Sequence, residues 1–237
     1  MDLPIFSDNL KSSASWADQL ARERELWDQA RQSSEMRNQV ESRVRQEQVK
    51  QALRRAGQGI DEQRLIESVN LISVWAADPG AKLGVERLLD LHRTLIGAQA
   101  GADVLRKTEP APINAMHDPT PAVLLPRMLD NAFDWFGTES FKDLHPVERA
   151  AVVYLRLLDL HPFPAGAETT AALAAGFYTE REGLPPLVIF ADEMTLARYS
   201  HALEAAFRML TQPLVELFAE MLTRTMRIGR IGLGVER

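Results

Sequence analysis

The sequence predicts a mostly α-helical bundle, and three observations carry that prediction. Residues 14–56 contain neither Pro nor Gly. Apolar residues recur three and four apart through most of the later chain, the period of a helix face. Gly and Pro fall between these runs rather than inside them, as helix punctuation. The one short run of consecutive apolar residues outside the helical pattern is Leu187–Phe190, after Pro185-Pro186, which reads as an extended connector.

The elements follow in order. Trp16, Leu20 and Trp27, then Met36, Val40 and Val44, lie along one stripe of a helix or helix pair. Packing of this extension on the body accounts for the two tryptophans, with a partner-binding stripe as the alternative. Gly57-Gln58-Gly59 marks a boundary, which divides the chain into an N-terminal helical extension (1–60), a core (61–226) and a C-terminal tail (227–237). Asp61 is placed to cap a helix running to about Ala77, and Asp78-Pro79-Gly80 ends it. A further helix spans about 83–96 and stops at Gly97. Residues 98–120 hold Pro110, Pro112 and Pro119 and no helical period; a connection of that length is expected to be functional or to contain a small β-hairpin. Pro121 suits the first turn of a helix to Phe136, and His145-Pro146 opens another that runs into His161. Thr170–Tyr178 is Ala-rich and helical, Asp192 caps a helix to about Leu210, and Pro213 starts a last one through about Met226.

Composition narrows the function classes. The 237 residues carry a net charge of −6, with 46% hydrophobic and 25% charged residues. Residues 11–60 hold ten basic and seven acidic side chains, so the excess of acid lies in the remainder. An acidic body argues against nucleic acid and anionic membrane as partners. No apolar run approaches the ~18–20 residues of a membrane span, and the first residues lack a signal-peptide pattern. The absence of cysteine excludes disulfides, thiolate nucleophiles and Cys-type zinc sites, and fits a cytoplasmic protein. No His, Asp and Glu residues fall at metal-ligand spacing, so no metal site is expected, and Ser33 and Ser34 have no visible triad partners.

The stretch Leu160–Leu173, LHPFPAGAETTAAL, carries the functional question. It resembles the signature loop of the Fic/Doc (Fido) family, which reads His-x-Phe-x-Asp/Glu-Gly-Asn-Gly-Arg-x-x-Arg between two central helices. Leu91–Gly97, His145–Phe163, Gly183–Phe190 and Arg198–Leu222 resemble further family landmarks in the same order. The resemblance covers about 65–225 and implies a Fido-type helical bundle with a hairpin flap that clamps a target protein. It also implies transfer of AMP from ATP, or of another phosphate-containing group, to a protein hydroxyl. In such a loop a His of near-neutral pKa takes the hydroxyl proton. An acid holds Mg²⁺, backbone N–H groups at a helix N-terminus cradle phosphate, and arginine offsets developing charge.

Carried over residue by residue, His161 matches the base, Phe163 the loop anchor and Gly166 the first glycine. Ala165 stands where the metal carboxylate belongs, Ala167 replaces Asn, Glu168 replaces the second glycine, and Thr169 and Ala172 replace the arginines. Mg²⁺ and ATP are thus expected only if the family activity survives. A unit charge ~4 Å from another interacts by about 4 kcal/mol at an effective dielectric of ~20, so a carboxylate at 168 opposes phosphate binding. Glu168, with Thr169 or Thr170 as cap, is expected to sit where phosphate would. His161 stays open between a base and a structural imidazole satisfied by a backbone carbonyl. His92 and His145 read as packing and helix-start residues. Arg106, Lys107 and Thr108 align with the flap, beside the plain reading of a surface loop.

Ser33–Asn38, SSEMRN, resembles the family's inhibitory-helix motif, with Ser34 retained, Arg37 where a Glu belongs and Asn38 at the final position. An Arg37–Glu168 ion pair is one consequence; an ordinary solvated helix is the other reading. The function that follows is a Fic-type protein with a degenerate loop, lacking AMP transfer and acting on a protein partner as a binding or regulatory module. Its alternatives are a transferase using another phosphate-containing or nucleotide-sugar donor, and residual AMP transfer through His161. The oligomeric state is left open.

Overall fold

The computed structural model describes residues 14–56, 59–97 and 104–233. The Gly57-Gln58 part of the expected boundary, the first six residues of the 98–120 connection and the last four of the tail lie outside the described residues. Ten α-helices form among the described residues, and no strand. They are α1 (Ala14–Gln29), α2 (Ser34–Ala56), α3 (Glu62–Ala77), α4 (Val85–Ile96), α5 (Leu125–Phe136), α6 (Glu139–Lys142), α7 (Pro146–Leu160), α8 (Ala167–Arg181), α9 (Glu193–Phe207) and α10 (Gln212–Arg230).

Helices α7 and α8 form the centre. Ten of the fifteen residues of each are buried, so neither shows the one-sided stripe of a surface helix. Small residues Ala171, Ala174, Ala175 and Gly176 let α8 approach its neighbours closely. Helix α3 packs on α8 and α4, while α10 packs on α1, α2, α9 and α7.

The caps follow the sequence. Asp61 accepts from the Arg64 N–H at 3.1 Å, and Asp192 from both the N–H and hydroxyl of Thr195. His145 opens α7 as a capping box: its Nδ1 accepts from the Val147 N–H, and its own N–H donates to Glu148 at 2.8 Å. Ser33 Oγ accepts from the Met36 N–H, which starts α2 and splits the long N-terminal helical region into a pair. Helix α6 had no sequence signal; Thr138 caps it, and its Phe141 is buried.

The N-terminal pair is part of the main core. Leu20, Trp27, Ala30, Val40 and Val44 are buried within it. The Trp27 indole N–H donates to the Gly183 carbonyl at 3.1 Å. At Gly229 of α10 a Cβ would lie 2.9 Å from the Trp27 ring, 3.0 Å from Val40 and 3.1 Å from Val44, so bare backbone permits this approach. Arg45 of α2 pairs with Glu180 of α8 at 2.5 Å.

The expected hairpin is not present in residues 104–120, which form bends and turns. Pro110, Pro112 and Pro119 lack the N–H groups a ladder needs. The segment instead has one backbone bond to the loop after α7, from the Arg106 N–H to the Pro162 carbonyl at 2.9 Å.

Because Trp27 is 2% exposed and its indole N–H is bonded, Trp27→Ala should cost about 3–5 kcal/mol. Urea unfolding checks this, and a loss under about 1 kcal/mol would show the pair to be peripheral.

Candidate functional site: the loop between α7 and α8

Helix α7 ends at His161, which adopts left-handed backbone angles (φ 42, ψ 59) and reverses the chain at a conformation disfavoured for residues with a Cβ. The turn is held from outside. Arg106 Nε donates to the His161 carbonyl at 2.7 Å and Nη2 to the Leu160 carbonyl at 3.3 Å. The same guanidinium bonds the carbonyls of Thr108 and Thr120 and the carboxylate of Glu109. A buried cation at the negative end of α7 satisfies carbonyls that have no helical partner. Arg106 therefore corrects the flap expectation: its side chain is 2% exposed and faces inward. Lys107 and Thr108, beside it, are exposed.

The loop is then anchored at Phe163, whose ring stacks on His92 at 3.7 Å between centroids and 5° between planes. The Thr170 hydroxyl donates to the Gly166 carbonyl at 2.9 Å and lies 2.9 Å from His92 Nδ1. With that hydroxyl hydrogen committed, Nδ1–H of His92 donates to Thr170 Oγ1, which assigns the neutral tautomer. Burial pushes the His92 pKa down to about 4. Gly166 caps α8 with φ 64, and a Cβ there would meet Ile96 at 2.7 Å. His92 and Thr170 do more than fill space, since they connect α4 to both ends of the loop.

Glu168, in the first turn of α8, accepts from the hydroxyls of Tyr199 at 2.8 Å and Tyr154 at 3.1 Å, and pairs with Arg55 at the end of α2. The two hydroxyl oxygens also lie 2.6 Å apart, so the two hydroxyl hydrogens are shared among three contacts, and Arg55 lies 4.5 Å over the Tyr199 ring. Burial raises the pKa of Tyr154 to about 12 and that of Tyr199 as well, so both stay protonated donors. Two expectations are corrected here. Neither Thr169 nor Thr170 caps α8; Gly166 does so without a side-chain bond, and among the described residues the N–H groups of Ala167, Glu168 and Thr169 have no hydrogen-bond partner. Arg37 is not the partner of Glu168, for its guanidinium bonds the Arg31 carbonyl at 3.3 Å. Since α2 is one unbroken helix, Arg37 and Arg55 lie about 27 Å apart along it at 1.5 Å per residue. Ser34, Arg37 and Asn38 are exposed at its far end.

Two clefts meet at this loop. One, of about 370 Å³, lies between α2, the loop and the extended run at Leu187–Ile189. The other, of about 270 Å³, lies towards Ile113, Asn114 and Ser200. His161 and Glu168 border both. The His161 Nδ1 is buried without a hydrogen-bond partner, so the imidazole is not satisfied by a backbone carbonyl. Burial lowers the His161 pKa, and the nearby His117 and Arg106 lower it further. His117, which sequence reasoning passed over, is structural: Nδ1 accepts from the Ile113 N–H and Nε2 donates to the Asp159 carbonyl, both at 3.0 Å.

The donor set does not fit Mg²⁺. Ala165 offers no ligand, the Glu168 carboxylate is taken by Arg55 and two tyrosines, and among the described residues no three His, Asp or Glu side chains converge on one point.

Comparison with known proteins supplies the context. A family model described as Fic/DOC family matches residues 82–179. The protein adenylyltransferase fic-1 of Caenorhabditis elegans is 27% identical over 126 residues, 53% of this chain and 24% of that protein. The protein adenylyltransferase Fic of Drosophila willistoni is 27% identical over 179 residues, 72% of this chain and 34% of that protein. The chain thus spans about a quarter to a third of the length of the curated relatives it matches. A Fic-domain-containing signalling protein from Bacteroides thetaiotaomicron superposes with a TM-score of 0.78 at 17% identity, over 92% of this chain and 99% of that one. For Fic-1 of C. elegans the TM-score is 0.70 at 21% identity, over 92% and 73%. For IbpAFic2 covalently tethered to Cdc42 it is 0.57 at 14% identity, over 87% and 70%. These likenesses show the fold.

The buried His92 gives the anchor a pH signature. Its pKa falls from the ordinary 6.5 to about 4 on folding, so between those values the unfolded chain binds a proton that the folded chain does not. Its contribution is therefore complete above pH 6.5 and is lost as pH falls towards 4, on the order of 3 kcal/mol. Urea midpoints across that range should fall on acidification, and the His92→Phe variant should lose this part of the slope. An unchanged slope in the variant would place the acid sensitivity elsewhere.

Proposed function

We propose that this chain, which a Fic/DOC family model matches over residues 82–179, keeps the Fic fold as a binding or regulatory module and has given up AMP transfer. The observation that carries this reading is the carboxylate of Glu168, fixed in the first turn of α8 by Arg55, Tyr154 and Tyr199. A phosphate brought to the open amides of Ala167–Thr169 would meet that carboxylate at close range. The neutralising charges are missing on the same turns of α8, where Thr169 and Ala172 stand in place of arginines. Arg55 offsets the local charge but is already engaged by Glu168 and the Tyr199 ring. ATP then has neither the metal ligand nor the cationic clamp on which phosphoryl-group transfer depends.

A protein partner is the class of ligand this reading favours. Among the similar structures, IbpAFic2 is tethered to Cdc42, which supports a protein surface as what the fold presents to. The proposal treats the N-terminal extension and the core as one working unit, because Arg55 of the extension reaches Glu168 of the core. It includes a cytoplasmic setting, in keeping with a chain that has no cysteine; among the described residues no helix is long and apolar enough to cross a membrane.

A second reading rests on its own observation. His161, whose buried Nδ1 has no hydrogen-bond partner, borders both clefts, and an imidazole between a donor cleft and an acceptor cleft is what a transferase of another donor would retain.

Calorimetry decides between them. Mg·ATP should give no binding heat, and labelled ATP should leave no AMP on any protein. Replacing Ala165→Asp, Ala167→Asn, Glu168→Gly, Thr169→Arg and Ala172→Arg together should gain ATP binding. Binding of Mg·ATP by the unaltered protein that His161→Ala abolishes would overturn the proposal.

A further inference from the structure

The larger cleft contains a side chain that neither reading of the site uses. Gln48, Ala52, Arg55 and Ala56 border it from one face of α2. Gln48 is 5% exposed. Its Oε1 accepts from Arg45 Nη1 at 3.0 Å. A guanidinium only donates, so this bond assigns which end of the amide is oxygen and leaves Nε2 as the free end. Among the described residues Nε2 has no acceptor, and it is not one of the unpartnered atoms sealed from solvent. Its opening is the cleft that Gln48 borders. Most polar atoms of buried side chains are paired, so a buried amide with a free donor at a cavity marks a place for an acceptor.

The rest of the cleft describes what brings that acceptor. Beside Gln48 the walls are apolar, made by Ala52, Ala172, Leu173 and Val188. Beyond them stand the open amides of Ala167–Thr169 and the Arg55–Glu168 pair. Gln48 and Arg55 are seven residues apart, about 10 Å along α2 at 1.5 Å per residue. Donors thus flank an apolar middle, and Gln48 lies well away from the carboxylate that opposes phosphate.

Size and charge narrow the class further. A dry apolar cavity of about 150 Å³ holds one benzene ring, so a cleft of about 370 Å³ admits two fused rings. Arg55 and Glu168 offset each other. Burial lowers the His161 pKa, so that imidazole is neutral at pH 7. An ionised ligand would find no free counter-charge and would be desolvated at a cost.

We propose that this cleft binds an uncharged two-ring compound that carries a hydrogen-bond acceptor, such as a ring carbonyl, on the edge held by Gln48 Nε2. The inference rests on the binding-module reading, because that reading withdraws phosphate from the cleft. It gives the module a small-molecule ligand beside its protein partner.

The test titrates the ¹⁵N-labelled full chain with 1-methyl-2-quinolone, which is uncharged and has one carbonyl and no donor. Quinoline-2-carboxylate, with the same rings and a charge, serves as the comparison. The quinolone at millimolar concentration should shift the Gln48 side-chain amide resonances and the backbone amides of Leu173 and Val188. The carboxylate should bind about tenfold more weakly or not at all. Gln48→Met keeps the side-chain length and removes the donor, and Gln48→Glu keeps an acceptor for Arg45 in place of the amide. Each should weaken quinolone binding about five- to tenfold, the worth of one hydrogen bond. If neither variant folds, the carboxylate comparison and the location of the shifts decide the matter on the unaltered protein. No shift at millimolar quinolone, shifts confined to residues outside the cleft, unchanged affinity in the variants, or equally tight carboxylate binding would each overturn the proposal. Mg·ATP in parallel separates the two readings. Failure of quinolone and ATP together removes the Gln48 site and leaves the binding-module reading standing, whereas ATP binding removes that reading itself.

Discussion

The stack of Phe163 on His92 is the contact on which the loop depends. It joins the first residues after α7 to α4, and through the Thr170 hydroxyl it reaches the first turn of α8 and the Gly166 carbonyl. Losing the Thr170 hydroxyl beside it would leave the buried imidazole N–H of His92 without a partner, at about 1–3 kcal/mol. None of the four residues involved is one of the five loop positions that depart from the family pattern, which are 165, 167, 168, 169 and 172. The shape of the loop and its phosphate chemistry are thus carried by different side chains. Arg106 extends the separation, because it fixes the His161 turn through carbonyl oxygens that any sequence would supply. A loop held in this way keeps its form when its polar face is replaced.

That separation also explains what was readable in the sequence. Helix boundaries were legible because their signals are local: Asp61, His145 and Asp192 cap the helices they precede, and Gly97 ends α4 in a left-handed conformation. Phe163 and Gly166 were legible through the spacing of one short motif. Arg55 was not, for it lies 113 residues from Glu168 and ends a helix rich in charged residues, where nothing local distinguishes it from its exposed neighbours. Arg37 resembled a motif in sequence but sits five turns away on the same rigid rod. Arg106 was read as a flap residue because it lies in the 98–120 connection, which aligns with the flap of the family the sequence resembles. Only the folded chain brings five acceptor groups around it.

The setting of Glu168 shows which electrostatic effect prevails. Near an exposed helix N-terminus a carboxylate gains about 0.3–1 kcal/mol from the aligned peptide dipoles. Hydrogen bonds to charged groups contribute about 1.5–3 kcal/mol each, and the tyrosine hydroxyls add two further donors. Glu168 is half-exposed, its side chain 45% accessible, so solvent screens part of the Arg55 contribution. The ranking still favours the side chains over the amides, and the amides of Ala167–Thr169 stay open.

The carboxylate is therefore part of the fold, and on the proposed reading it also opposes phosphate. Tyr154 is fully buried and its hydroxyl needs an acceptor. With Glu168 present, both tyrosines can donate to a carboxylate. Without it, the two hydroxyls share one bond between them, and the second hydrogen has no acceptor in the network described. Arg55, whose side chain is 12% exposed, would at the same time lose its anion. A return to glycine at 168 would clear the way for phosphate but remove the acceptor that three buried or half-buried donors now share. On the proposed reading, opposition to phosphate and support of the fold are thus coupled at a single residue, and removing the first costs part of the second.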